Sequence, residues 1–170
     1  MTRLAIVLLL SGVLLAACNS GTEVPDGFTE AEAGPVTFAH PEDWSETSAT
    51  GGAALQIEGP SGAGGVQTGV QVFVDEQGGD PAARASALAA ALRTSFEDFE
   101  VTEQTESEVE GAEAATLLEY TFDADGTTVR SYDVLAEGPD GDQIIFRVAG
   151  AENELDADTA GEIIDTLSLE

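Results

Sequence analysis

The spacing of hydrophobic positions changes character several times along the chain, and each change marks a predicted element. Leu4 to Ala17 is almost wholly apolar, whereas Asn19 to Gly34 is polar, punctuated by Gly and Pro, and has no period. The apolar run is too short to span a bilayer core, which needs about 20 such residues. The polar stretch reads as a flexible tether. Val36 to His40 is then a first strand that stops at Pro41, Ala53 to Glu58 a second, and Gly59 to Gly65 a loop. Val66 to Asp75 alternates, with Val70, Val72 and Val74 on one face.

The period next lengthens to that of a helix. Gly78 and Gly79 close the strand, Asp80 is placed as N-cap, and Pro81 takes the first helical position, where its missing N–H costs nothing. Ala85, Leu88, Ala89, Leu92 and Phe96 make one apolar stripe of this helix. Alternation returns in Phe99 to Glu110, Glu113 to Asp123, Thr127 to Glu137 and Asp142 to Ala149, an antiparallel meander. In its first strand Glu100, Thr102, Gln104, Glu106, Glu108 and Glu110 share a solvated face whose charge discourages edge-to-edge pairing.

Two three-residue turns, Ala124-Asp125-Gly126 and Pro139-Asp140-Gly141, set the expected register. With Asp123 opposite Thr127 and Gly138 opposite Asp142, Leu118, Tyr120 and Phe122 lie beside Arg130, Tyr132 and Val134. Ile144, Phe146 and Val148 extend that face, which is apolar except at one end, as a core face under a helix should be. Asp133 and Arg147 become cross-strand partners on the other face, contributing a fraction of a kcal/mol if exposed. A last helix from about Asp156 buries Ala160, Ile163, Ile164 and Leu167 against that other face. The expected fold is α+β, a curved antiparallel β-sheet with two helices packed on it.

Composition adds a limit on partners. Hydrophobic residues make up 42% of the 170, enough for a real core despite a formal net charge of −28. Without residues 1–17 the chain keeps 170 − 17 = 153 residues, one domain with a tether. Four arginines then face 33 acidic residues, a charge of 4 − 33 = −29, and there is no lysine. Such a field repels nucleic acid and anionic headgroups, and no basic stripe opposes it. Abundant Ala, Gly, Asp and Arg without lysine resembles GC-rich coding, as in actinobacteria; adaptation to salt is the other explanation.

Candidate chemistry is sparse. Cys18 is the single cysteine, which leaves no disulfide, zinc cluster or thiol nucleophile in the folded part. His40, the single histidine, precedes a proline and reads as a half-exposed strand-end residue rather than a base. The stretch from Gly59 to Gly65 misses the Gly-x-Ser-x-Gly pattern and lacks the lysine of a phosphate loop. Asp123-Ala124-Asp125-Gly126 mimics part of a calcium loop but puts Tyr132 where a bidentate Glu is needed, so a hairpin turn accounts for it. No metal and no cofactor are implied. Trp44, Tyr120, Arg130 and Tyr132 remain as a candidate pocket between helix and sheet for an anionic or aromatic ligand. The plainer alternative has Trp44 plugging the end of the sheet and the tyrosines in the core, hydroxyls at its rim.

Two resemblances extend this reading. Met1-Thr2-Arg3, the apolar run and Leu15-Ala16-Ala17-Cys18 have the layout of a secretory signal ending in a sequence that resembles the bacterial lipobox. The resemblance implies cleavage before Cys18, a diacylglyceryl thioether on its sulfur, and attachment to the membrane by two acyl chains, since one alone holds only marginally. The chain then divides into a signal peptide over 1–17, a lipidated tether over 18–34 and a domain over 35–170. Phe38-Ala39-His40-Pro41-Glu42-Asp43-Trp44 resembles the opening of PsbP-like domains, including small secreted actinobacterial lipoproteins of the LpqN/LpqT type. The order of strands, long helix, four strands and final helix is similar. That resemblance implies a non-catalytic interaction or assembly module on the extracytoplasmic face of the cell membrane, with an envelope protein as partner. A carrier of a small ligand or divalent cation, serving a transporter, is the alternative expectation.

Overall fold

The computed structural model describes residues 23–75 and 78–170. Its elements run β1 (Phe28–Ala33), β2 (Val36–Pro41), β3 (Ser45–Thr47), β4 (Leu55–Ser61), β5 (Gln67–Asp75), α1 (Pro81–Ser95) and β6 (Glu97–Glu106). There follow β7 (Ala114–Ala124), β8 (Thr127–Glu137), β9 (Gln143–Ala151), α2 (Ala157–Asp165) and β10 (Ser168–Leu169). Seven strands form one antiparallel sheet in the order β3-β4-β5-β9-β8-β7-β6, and β1, β2 and β10 form a second, smaller sheet. This is the expected α+β arrangement, with an added small sheet. Among the described residues no helix is long and apolar enough to cross a membrane.

The small sheet corrects the expected tether. Residues 28–33, within the predicted polar tether, pair along their whole length with β2, from Phe28 opposite Pro41 to Ala33 opposite Val36. The pairing wins because β2 is apolar on both faces and one edge must be covered; Phe28 and Ala31 pack on the main core in exchange for the polar side chains left outside. The chain end closes the other edge of β2 through Ser168 and Leu169.

Both helices start where their caps predict. The Asp80 carboxylate accepts the Ala83 N–H at 2.7 Å with Pro81 at the first position, and Asp156 accepts the Thr159 N–H at 2.7 Å. The two helices pack on opposite faces of the large sheet. α1 lies over β6, β7 and β8, burying Ala85 and Ala89 on Leu118, Tyr120 and Leu135. α2 and the small sheet cover the face where Val70, Val72, Val134, Ile144, Phe146 and Val148 are essentially inaccessible, not the Asp133–Arg147 face on which the last helix was expected.

Register was anticipated at one hairpin and missed at the other. β8 and β9 pair as expected, with Glu137 opposite Gln143 and Asp133 opposite Arg147. β7 and β8 are shifted by one: Ala124 opposes Thr127 and Asp123 opposes Thr128, so the turn is the two residues Asp125-Gly126. Both carry positive φ, 52° and 84°, the conformation of the tightest right-twisted hairpin, and the Asp123 carboxylate accepts the Gly126 N–H at 2.9 Å. A slip of one residue reverses every side chain of β7. Leu118, Tyr120 and Phe122 therefore face α1, not the face that carries Arg130, Tyr132 and Val134. The expected polar face of β6, from Glu100 to Glu110, is also interrupted, by irregularities after Glu97 and after Val101 and by a positive φ at Asp98.

Candidate functional site

The four residues singled out as a pocket are not brought together. Tyr120 is buried beneath α1 beside Phe99 and Phe122. Arg130 and Tyr132 lie on the opposite face of β8, where Glu119 at 3.6 Å and Glu152 flank the guanidinium. The neighbouring Tyr132 hydroxyl, and then Glu152, hold the Arg130 pKa above its ordinary value. Trp44 sits elsewhere again, against β4. The reversal of β7 separates Tyr120 from Arg130 and Tyr132. Cys18 lies outside the described residues.

The face shared by Tyr120 holds a buried polar network that the sequence undervalued. Asp133 is fully buried, and Arg147 grips it with two bonds, Nε to Oδ1 at 2.8 Å and Nη2 to Oδ2 at 2.6 Å. The hydroxyls of Ser131 and Tyr120 donate to the same carboxylate at 2.9 and 3.3 Å. Every strong acceptor direction of this buried charge is thereby used, the condition for tolerating it at all. Burial opposes the charge on Arg147, but the Asp133 hydrogen bonds and charge outweigh it and raise the pKa. Burial, and next the Asp133 charge, push the Tyr120 phenol well above its ordinary range. The expected weak surface pair is thus an interior one, because α1 closes over Tyr120 and seals the carboxylate.

The guanidinium of Arg147 marks a boundary. On one side α1 covers the sheet. On the other, β4, β5 and β9 present half-buried Gln56, Gln67, Gln71 and Arg147 around a shallow depression of about 130 Å³ floored by Gly69. Thr50 donates to the Gln56 side chain at 2.9 Å and Gln56 to Glu58 at 2.7 Å, so the row is pre-ordered. Arg147 also lies over the Phe73 ring, 5.8 Å from its centre.

Trp44 contributes to a second concavity of about 280 Å³ where the loop after β2 meets the start of α2. Pro41, Trp44, Pro60 and Leu155 form its apolar wall; Asp43, Glu154, Asp156 and the threonines 68 and 159 supply the polar groups. The indole lies flat on Gly59, where a Cβ would come within 2.6 Å of its Cε2 atom, so a residue with a side chain would displace it. Thr159 donates its backbone N–H and its hydroxyl to Asp156, which lowers the pKa of that carboxyl.

No catalytic constellation assembles from the candidates. His40 was expected to be half exposed; it is 5% exposed, because β1 covers it, and its Nδ1 is 2.9 Å from the Pro41 carbonyl. Ser61 donates to Gln67 at 2.7 Å and lies far along another strand. Among the described residues no three acidic, histidine or cysteine side chains are grouped to hold a metal ion.

This architecture, a curved antiparallel sheet with one helix on each face, is that of a PsbP-like domain. The chain is similar in structure to cyanobacterial PsbP (CyanoP) from Synechocystis sp. PCC 6803, with a TM-score of 0.64 at 12% identity, over 92% of this chain and 99% of that one. It is also similar to LpqN of Mycobacterium tuberculosis, described as involved in cell envelope biogenesis, with a TM-score of 0.59 at 15% identity, over 84% and 90% of the two chains. No protein-family model and no curated protein matches the sequence. The likeness is therefore one of fold.

Proposed function

We propose that the chain is a lipid-anchored, extracytoplasmic module of the cell envelope that holds a protein partner and catalyses nothing. The observation that carries this reading is the half of the large sheet, beside α1, that the described residues leave uncovered. In a chain of net charge −28, that surface offers Gln56, Gln67 and Gln71, with Arg147 and the Asp133 beneath it cancelling and Glu58, held by Gln56, as the one further carboxylate that lines the depression. Glutamates crowd β1 and β6 instead. A partner can approach a hydrogen-bonding surface that carries less like charge than the glutamate-rich strands. Further support comes from the lipobox-like ending at Cys18 and from the envelope role stated for LpqN. His40 is committed to backbone and Asp133 to Arg147, so neither is poised as a base.

A photoreactive residue placed at position 71, compared with one at position 103 on the acidic edge, tests this in intact cells. The expected result is a discrete protein adduct from position 71 and none from position 103. Cys18→Ser is expected to release the chain from the membrane fraction, change its mature mass and weaken the adduct. An unchanged fractionation and mass would remove the anchor; equal labelling from both positions would remove the docking face.

A further inference from the structure

β4 presents its alternate residues to two different surfaces. Gln56 and Glu58 turn to the open half of the large sheet, whereas Leu55 and Ile57 turn to the small sheet. The small sheet does not cover that second side completely. A groove of about 350 Å³ remains between β1 and β3, with Leu55 and Ile57 as its apolar floor and His40 in its lining. Both bordering strands are the outermost of their sheets, so each keeps a row of backbone N–H and C=O groups without a strand partner among the described residues. β1 pairs with β2 along its whole length with no shift in register, which keeps its outer edge regular.

His40 supplies the buried polar group. A carbonyl only accepts, so the contact of Nδ1 with the Pro41 carbonyl at 2.9 Å places the proton of the neutral ring on Nδ1 and leaves Nε2 an acceptor. Nε2 has no partner among the described residues, and it is not one of the polar atoms sealed from solvent. In a residue only 5% exposed, that free acceptor opens on the groove. The charge around it is one-sided. Glu46 shares the inner face of its strand pair with Ile57, Glu30 and Glu32 stand on the outer face of β1 above the rim, and no basic side chain lines the space.

We propose that an extended, basic segment of a partner protein adds as a further strand to the outer edge of β1 and sets a lysine or arginine side chain into this groove. Its backbone pairs with the free N–H and C=O groups of residues 30–32, its cation donates to His40 Nε2, and Glu46 balances the charge. A second copy of this chain is a poor occupant, because a net charge of −28 repels it.

His40 is the single histidine of the chain, so its isotope-labelled ring nitrogens report by NMR on this groove alone. The full, untagged chain in detergent is titrated with the capped peptide Thr-Val-Arg-Val-Thr. The expected result is a proton on Nδ1 in the free chain and a saturable shift of Nε2 as the peptide binds. A peptide with glutamate in place of arginine, and the arginine peptide with N-methylated backbone amides, should each bind at least roughly tenfold more weakly, since one reverses the charge and the other removes strand pairing. Glu46→Gln should weaken the midpoint by about threefold, the value of an exposed ion pair, and Glu103→Gln, on β6, should leave it unchanged. Far-ultraviolet circular dichroism of each variant establishes that it is folded. A proton on Nε2 in the free chain, an absent or unsaturable shift, or equal losses in Glu46→Gln and Glu103→Gln would overturn the proposal. So would binding of either altered peptide as tight as that of the parent, or a shift that follows protein concentration without peptide, as self-association would give.

Discussion

The two faces of the large sheet solve burial in different ways. The face under α2 and the small sheet is apolar, and its arginine, Arg130, stays at the margin with 29% of its side chain exposed between two glutamates. The face under α1 takes a complete ion pair inside, Asp133 with Arg147, and fixes it with two hydroxyls. Two arginines on adjacent strands of one sheet thus have unlike roles. What separates them is the cover: an alanine-rich helix lies close to the strands and seals a carboxylate, while the opposite margin is left to water.

The contrast can be broken at its strongest point first. Asp133→Ala leaves the Arg147 guanidinium half buried without its partner and should destabilise the domain by about 3 kcal/mol, measured by urea denaturation. Replacing both residues, Asp133→Ala with Arg147→Met, should recover much of that loss, because the penalty lies in the orphaned charge rather than in the missing pair. Equal losses in the single and double variants would mean that the pair itself, not its isolation, holds this face.

A smaller effect sharpens the role of the tyrosine. Tyr120→Phe removes a long hydrogen bond to Asp133 and should cost about 1 kcal/mol at neutral pH. Its pH dependence is more telling. The folded state holds the Tyr120 proton above the ordinary phenol pKa of 10.0. The unfolded chain loses that proton first as pH rises, so this stabilisation is complete below pH 10.0 and is lost above it. The wild-type chain should lose up to about 1.4 kcal/mol more per pH unit in that window than Tyr120→Phe. Superimposable alkaline profiles would show that the phenol is not sealed.

The smallest effect belongs to the other face. Arg130→Gln removes a partly exposed contact with Glu119 and Glu152 and should change stability by less than about 1 kcal/mol, and less still in high salt. A loss equal to that of Asp133→Ala would erase the distinction between the faces.

Much of the architecture was legible because local chemistry dictated it. Asp80-Pro81 and Asp156 set the starts of both helices, alternation placed β5, β7, β8 and β9, and Pro139-Asp140-Gly141 set the β8–β9 register, with Asp133 facing Arg147. The β7–β8 register was legible too, since Asp-Gly is a strong two-residue hairpin signal; reading Ala124 into the turn reversed the strand. That one position separated Tyr120 from Arg130 and Tyr132 and dissolved the expected pocket.

The sequence by itself determined the helix caps, the strand alternation, the strong acidity and the lipobox-like segment, because each is written in neighbouring residues. Only the tertiary structure decided that residues 28–33 form a strand, that Asp133 is sealed, that His40 is buried, and that Thr68 and Trp44 share one concavity. Those outcomes depend on which surface a distant segment covers. Thr68 and Thr159 stand 91 positions apart in the chain yet line the same space (159 − 68 = 91). Burial follows from covering, and covering is a property of the assembled layers that no local window of residues contains.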